Sequence, residues 1–149
     1  MHYFESENRC MKYINSVCSF VFLLSFIGSA IAVGPVKYRV LLSVSEDSVE
    51  KMQLAINNAY NLQKEFGRQN VEVNIVTFGP GVRNLIYYSP LDEFISHAIT
   101  RGVRIVACEN SMKKAKLRSV DMNNNIDYVA SGVVDITIKQ AEGWQYIKP

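Results

Sequence analysis

The feature that most constrains the fold is an alternation of short apolar runs with helical patterns. Residues 38–44 (YRVLLSV), 71–78 (VEVNIVTF) and 103–107 (VRIVA) are rich in β-branched and long apolar side chains, which is typical of buried strands. Helical segments separate these runs. Because consecutive parallel strands require a crossover, this order predicts a parallel α/β sheet with helices on both faces.

The first helical segment follows the first strand directly. Ser45 is its predicted N-cap, and acidic residues follow in or near the first turn, where the helix dipole favours them. Apolar residues then recur at helical spacing, including Met52 and Ile56. We interpret this stripe as core and expect the helix to end at Gly67.

The next helix carries the clearest start and stop signals in the chain. Ser89 is its predicted N-cap, Pro90 takes the first helical position, Asp92 completes a capping box and Gly102 ends the helix. His97 falls on the polar face of this helix. We therefore expect His97 to be a solvated side chain rather than a ligand or a base.

The remaining segments complete a single domain. We predict a short basic helix at 111–117, a fourth strand at 128–130 and a fifth at 144–147. In residues 133–142, apolar and polar side chains first alternate as in a strand, and the later part resembles the end of a helix. We predict a helix, because parallel fourth and fifth strands require a crossover between them. The predicted fold is therefore α/β, with a five-stranded, mostly parallel sheet flanked by helices on both faces.

The N-terminal residues have the pattern of a secretory signal peptide. Arg9 and Lys12 precede the apolar run 17–27, and residues 29–32 (SAIA) form a small-x-small cleavage site. A start at Met11 would give a more ordinary signal. The alternative is an uncleaved anchor at 17–33, which is short for a spanning helix. We expect residues 1–32 to be removed, residues 33–149 to form the domain, and the mature protein to be periplasmic or secreted.

Charge and cysteine content limit the possible partners. The chain carries 16 Lys or Arg and 14 Asp or Glu, a net charge of +2. This balance gives no reason to expect nucleic acid as a partner, or a membrane surface after signal cleavage. Cys10 and Cys18 would leave with the signal. Cys108 would then be the only cysteine of the mature chain, so no internal disulfide is expected.

Sheets of this kind place functional groups at the carboxyl ends of their strands. The turn after the first strand, SVSEDS, has no glycine and two adjacent acids. The turn after the second, GPGVRN, is no dinucleotide fingerprint. A phosphate or flavin site is therefore disfavoured. One mature histidine and one mature cysteine do not make a metal site, so we expect neither a cofactor nor a metal.

Cys108 is the candidate catalytic residue. It ends the third strand just before a helix, and Lys113, Lys114, Lys116 and Arg118 follow it. The helix dipole and ammonium groups both favour a thiolate, although adjacent Glu109 opposes it. The alternative is that Cys108 is only packed, because free cysteine is among the most buried residue types.

At this point the chain resembles a known family. Five features carry this resemblance: SVSEDS, GPG, RGVRIVACENSM, ASGVV and an aromatic final strand. Through these features the chain is similar to the DsrE/DsrF-like family, which includes TusD-type sulfur-relay proteins. The resemblance covers 37–149. Its sulfur-relay members carry a persulfide on a cysteine after the third strand, and Cys108 matches that position. The resemblance also implies ring-like oligomers, a trimer or a hexamer.

Three hypotheses remain. In the first, this exported domain carries sulfane sulfur or another thiol adduct on Cys108, in exchange with a sulfur donor or acceptor protein. In the second, it is an oligomeric binding or structural module without thiol chemistry. The third, a flavodoxin-like nucleotide binder, lacks a phosphate loop. The second hypothesis draws on four aromatic residues near predicted turns or edges, where aromatic residues favour interfaces: Tyr87, Tyr88, Trp144 and Tyr146.

Overall fold

The computed structural model describes residues 37–149, so the predicted signal segment, Cys10 and Cys18 lie outside the described residues. One five-stranded sheet organises this part of the chain, in the order β4-β3-β2-β1-β5. All four strand pairings are parallel, which confirms the predicted α/β sheet. The strands are β1 (Tyr38–Val44), β2 (Val71–Thr77), β3 (Val103–Cys108), β4 (Asp127–Val129) and β5 (Gln145–Ile147).

Helices connect these strands. The segment that the sequence pattern left ambiguous is a helix, as the crossover argument predicts. Within residues 37–149, no helix has the length and apolar character that a membrane span requires. The helices are α1 (Val49–Phe66), α2 (Asp92–Thr100), α3 (Glu109–Ala115) and α4 (Gly132–Ala141), with 3-10 helices at Gly79–Leu85 and Ser119–Asp121.

The strand order determines which face each helix covers. The chain steps in one direction from β1 to β4 and then returns across the sheet to β5. Right-handed crossovers therefore put α1, α2 and α3 on one face and α4 on the other. The larger core lies on the first face and contains Met52 of α1, Ile95 of α2 and Met112 of α3.

The second face has a smaller core. Ile136 of α4 and Trp144 pack there against three strand residues, Leu41, Val76 and Val106. Trp144 is buried, so this aromatic residue belongs to the core of the domain and not to an exposed edge. Because it follows α4 directly, its indole fills the space between that helix and the sheet.

Two helix starts differ from their predictions. Helix α1 begins at Val49, because the Ser48 hydroxyl accepts a hydrogen bond from the Lys51 N–H at 3.2 Å and caps the helix. Ser45 instead directly follows β1, in the turn between that strand and the helix. Helix α2 begins at Asp92, whose carboxylate accepts a hydrogen bond from the Asn123 amide at 2.6 Å and so forms no capping box.

The start of α3 bears directly on the site. This helix begins at Glu109, two residues earlier than the pattern predicts, and Cys108 is its N-cap residue. The same cysteine is the last residue of β3 and pairs with Val129 of β4. Strand and helix therefore meet at the thiol without an intervening loop, and its backbone position is set by both elements.

Candidate functional site

The turns after the first three strands meet at one edge of the sheet, as the fold predicts. The Gly81 N–H donates to the Ser45 carbonyl at 3.0 Å and joins the second turn to the first. The Gly79 N–H donates to the Ser111 hydroxyl at 2.8 Å and joins the second turn to α3. Cys108 thus lies at an edge that is held together by hydrogen bonds from the backbone N–H groups of the second turn.

The GPG motif provides close packing between these turns. A Cβ atom at Gly81 would overlap the Val44 carbonyl oxygen, whereas Gly79 has the positive φ of 55° that glycine tolerates best. The motif opens the 3-10 helix Gly79–Leu85. Its glycines therefore allow the second turn to lie against β1.

The first turn does not form a phosphate cradle. The Ser45 N–H, which would have to donate to an anion, instead donates to the Glu46 carboxylate at 3.1 Å. That carboxylate also pairs with Lys148 at 3.3 Å. A carboxylate in the place of a phosphate repels anions, which argues against the flavodoxin-like hypothesis.

Cys108 is buried, with 4% of its surface exposed. Burial raises the pKa of its thiol, but hydrogen bonds to the sulfur outweigh this effect and hold the pKa below its ordinary value. The donors are the Ser111 hydroxyl and the backbone N–H groups of Gly132, Ser111 and Asn110. We call these four groups the thiol cage. It favours the thiolate, because each donor stabilises negative charge on sulfur.

Two helix N-termini contribute to the thiol cage. Asn110 and Ser111 lie in the first turn of α3, and Gly132 is the first residue of α4. First-turn N–H groups have no partner within their own helix and are free to donate elsewhere. The Asn110 N–H is shared, because it also donates to the Ala130 carbonyl at 3.2 Å.

Gly132 approaches the cysteine so closely that a side chain there would crowd its neighbours. A Cβ atom there would lie 3.0 Å from the Phe78 Cβ and 3.3 Å from the Cys108 Cβ. Both of these atoms are attached directly to the backbone and cannot rotate away. The glycine of the ASGVV motif therefore lets α4 bring its N–H to the sulfur.

The expected source of thiolate stabilisation needs a correction. The sequence suggested a helix N-terminus together with the ammonium groups of the basic helix; the N–H groups of helix N-termini are among the groups that lower the pKa of Cys108, but no ammonium group of residues 37–149 is. Lys113 and Lys114 are exposed on α3, and Arg118 pairs with Asp121 at 3.1 Å. Sequence reasoning missed Ser111 and Gly132, although both belong to motifs that it had singled out.

A cleft of about 290 Å³ opens beside the cage. Ser111 belongs to both, because it lines the cleft and donates to the thiol. The other lining residues come from the second turn and from α3, and they include two cations but no acid: Gly79, Pro80, Arg83, Lys114 and Ala115. The cleft therefore presents positive charge next to the cysteine.

Other candidate groups lie elsewhere. His97 is exposed on α2, as predicted, and its Nδ1 lies 3.0 Å from the Tyr60 hydroxyl. In residues 37–149, no cluster of His, Cys, Asp and Glu side chains could hold a metal ion. The exposed rings of Tyr87 and Tyr88 contact each other at a tilt of 46°, with ring centroids 4.0 Å apart.

Solved structures with the same fold include three proteins of similar size. Protein of unknown function MTH1491 from Methanobacterium thermoautotrophicum is 33% identical, with a TM-score of 0.71 over 75% of this chain and 99% of that chain. Conserved protein BT1422 from Bacteroides thetaiotaomicron is 15% identical, with a TM-score of 0.61 over 74% of this chain and 94% of that one. The ychN protein from E. coli is 8% identical, with a TM-score of 0.61 over 76% and 99%.

No protein with a curated function matches the chain. A sequence profile of the DsrE/DsrF-like family, however, matches residues 37–149, the whole of the part that the structure describes. The five parallel strands, the helices on both faces and the family profile agree with one another. This chain belongs to the DsrE/DsrF-like family.

Proposed function

We propose that the protein accepts and carries sulfane sulfur as a persulfide on Cys108. The observation that carries this proposal is the thiol cage: four donors from α3 and α4 meet at one sulfur and lower the pKa of its thiol. The thiolate is the nucleophile in sulfur transfer, and a cysteine that only fills a core has no need of such donors. Membership of the family supports the same role.

Burial limits which reagents reach the thiol. With 4% of Cys108 exposed, a bulky donor must wait for the first turn of α3 to open, whereas a small donor needs only a side-chain movement. Short helices with exposed polar surfaces open locally at low cost, and α3 has seven residues. We therefore expect small inorganic sulfur donors to react faster than large alkylating reagents.

The test is direct sulfuration. The full-length chain with Cys10→Ser and Cys18→Ser is mixed with inorganic polysulfide, and its peptides are weighed by mass spectrometry. The expected result is the addition of one sulfur atom to the peptide that contains Cys108, and Cys108→Ser should abolish it while leaving the circular dichroism spectrum unchanged. If Cys108 resists both polysulfide and a haloacetamide until denaturant is added, the cysteine is only packed and the proposal is wrong.

A second candidate, an oligomeric binding module, has one specific observation in its favour. The outer side of α4 exposes more than half of the surface of Val133, Val134 and Ile138, at 58%, 55% and 54%. Contiguous exposed apolar residues mark interaction surfaces. We propose that this α4 outer face joins copies of the chain into a trimer or hexamer, which is compatible with thiol chemistry at Cys108.

Export is part of the proposal. We propose that the protein acts in the periplasm or outside the cell after cleavage behind Ala32, on the basis of the apolar run 17–27 and residues 29–32. N-terminal sequencing of the protein from its natural compartment should give a chain that begins at Val33. An intact start at Met1 or Met11 in that material would contradict export by this signal.

A further inference from the structure

We propose that the cleft lined by Arg83, Lys114 and Ser111 binds a small sulfur oxyanion, of which thiosulfate is the simplest, and that this anion donates sulfur to Cys108. The inference rests on the proposed function and names its donor. A protein that receives sulfur from a large partner needs a docking surface, whereas this site offers a small open cleft with two cations, and Ser111 of its wall neighbours the thiol.

The charge of the cleft selects the ligand. Arg83 and Lys114 both line it, and its lining residues include no acid. The ion pairs between residues of 37–149 leave both cations without a carboxylate partner from that part of the chain. A guanidinium offers a planar fork that suits the oxygens of tetrahedral anions, and an ammonium adds a compact charge. Together they balance a dianion.

The volume of the cleft agrees with a small sulfur oxyanion as its ligand. Its volume of about 290 Å³ is roughly that of ten liquid water molecules. Such a space holds a small oxyanion with part of its hydration shell. Pro80 and Ala115 supply the apolar part of the wall, which lowers the local dielectric constant and strengthens the attraction between the anion and the two cations.

Ser111 connects the bound anion to the thiol. Its hydroxyl accepts the Gly79 N–H at 2.8 Å and is the first of the groups that lower the pKa of the Cys108 thiol, while the same side chain forms part of the cleft wall. Ser111 therefore belongs both to the wall of the cleft and to the groups around the Cys108 sulfur. The anion thus lies one side chain away from the nucleophile.

The transfer balances without a further reagent. The Cys108 thiolate attacks the outer sulfur of thiosulfate, a new S–S bond forms, and the bond between the two sulfur atoms of thiosulfate breaks. The electron pair of that bond leaves on sulfite. One thiolate and one thiosulfate dianion give one persulfide anion and one sulfite dianion, with no net oxidation. Arg83 and Lys114 hold the departing sulfite, where hydrogen bonds to its oxygens favour the displacement.

Binding is tested apart from chemistry. Sulfite, which carries no transferable sulfur, is titrated calorimetrically into the full-length Cys108→Ser chain. We expect one site, and we expect Arg83→Gln and Lys114→Gln each to weaken binding by about tenfold, the usual cost of one charge-assisted hydrogen bond. Lys64→Gln is the matched control, because Lys64 is an exposed cation on α1 outside the cleft, and its affinity should not change. No binding, or equal affinity in all variants, would overturn the proposal.

Transfer is tested with two donors, in the chain with Cys10→Ser and Cys18→Ser. Thiosulfate should add one sulfur atom to Cys108 and release one sulfite, and Arg83→Gln should slow this reaction by about tenfold while sulfuration by hydrogen polysulfide changes little. If polysulfide sulfurates Cys108 but thiosulfate does not, or does so equally well in Arg83→Gln, the donor assignment is wrong and the proposed function stands. If neither donor sulfurates Cys108, the proposed function fails with it.

Discussion

Replacing Ser111 by alanine should raise the pKa of the Cys108 thiol while leaving the fold intact. The hydroxyl makes two contacts: it accepts the Gly79 N–H and donates to the Cys108 sulfur. Losing the first contact costs about 1 kcal/mol of stability, and alanine returns up to about 0.5 kcal/mol as the better helix former within α3. The free energy of unfolding should therefore fall by less than about 1 kcal/mol, and the fold should persist.

The effect on the thiol is larger. A hydrogen bond to a charged group contributes about 1.5–3 kcal/mol, and in Ser111→Ala the thiolate loses one such bond while the backbone donors remain. At a fixed pH below the titration midpoint, the thiolate fraction should fall by roughly ten- to hundredfold. The pKa of Cys108 rises in this variant, since the lost donor is the first of the groups that lower it.

Thiolate absorbance in the ultraviolet, measured against pH, follows this change without requiring a reagent to enter the site. The protein carries Cys10→Ser and Cys18→Ser, and the same titration of Cys108→Ser supplies the baseline from tyrosine ionisation. Ser119→Ala, at an exposed serine of the second 3-10 helix, is the control and should titrate like the parent. If Ser111→Ala titrates at the same pH as the parent while its fold is intact, Ser111 does not stabilise the thiolate and our account of the cage is wrong.

Three further predictions concern packing, pH and assembly. Gly81→Ala should destabilise the fold by roughly 3 kcal/mol, because the added methyl group overlaps the last carbonyl of β1. Gly102→Ala should cost about 1 kcal/mol, because only the φ of 87° opposes a side chain there. Equal unfolding midpoints of the two variants in urea would contradict this difference. Folding lowers the pKa of Cys108, so the thiolate stabilises the fold fully above the pKa of the unfolded chain, and this contribution is lost as the pH falls through the pKa of the folded chain. The unfolding free energy of the parent minus that of Cys108→Ser should therefore rise with pH between these two pKa values. A flat or falling difference would show that folding does not lower the pKa of this thiol. Light scattering should find an oligomer that Val134→Asp with Ile138→Asp converts to monomers, whereas a monomeric parent at micromolar concentration would rule out the α4 outer face as an interface.

The order of strands and helices could be read from the sequence because its signals are local. The apolar run at 38–44 coincides with β1, and the helical stripe between it and the second strand coincides with α1. The return of the chain to β5 required the one non-local argument, that a crossover between parallel strands needs a helix, and α4 confirms it. Element ends were less accurate: Ser48, not Ser45, caps α1, since Ser45 is held by the neighbouring turn.

The sequence by itself determined that Cys108 ends a buried strand at the carboxyl edge of a parallel sheet, because strand periodicity and helix signals operate within short windows of the chain. It did not reveal what surrounds the sulfur. Ser111 and Gly132 reach Cys108 from two helices, and Arg83 meets Lys114 across a cleft formed by different elements. Only the tertiary structure decided these contacts, since they depend on how closely separate elements pack. At this edge the elements approach closely at two glycines: a Cβ atom would overlap the backbone at Gly81 and would be crowded at Gly132.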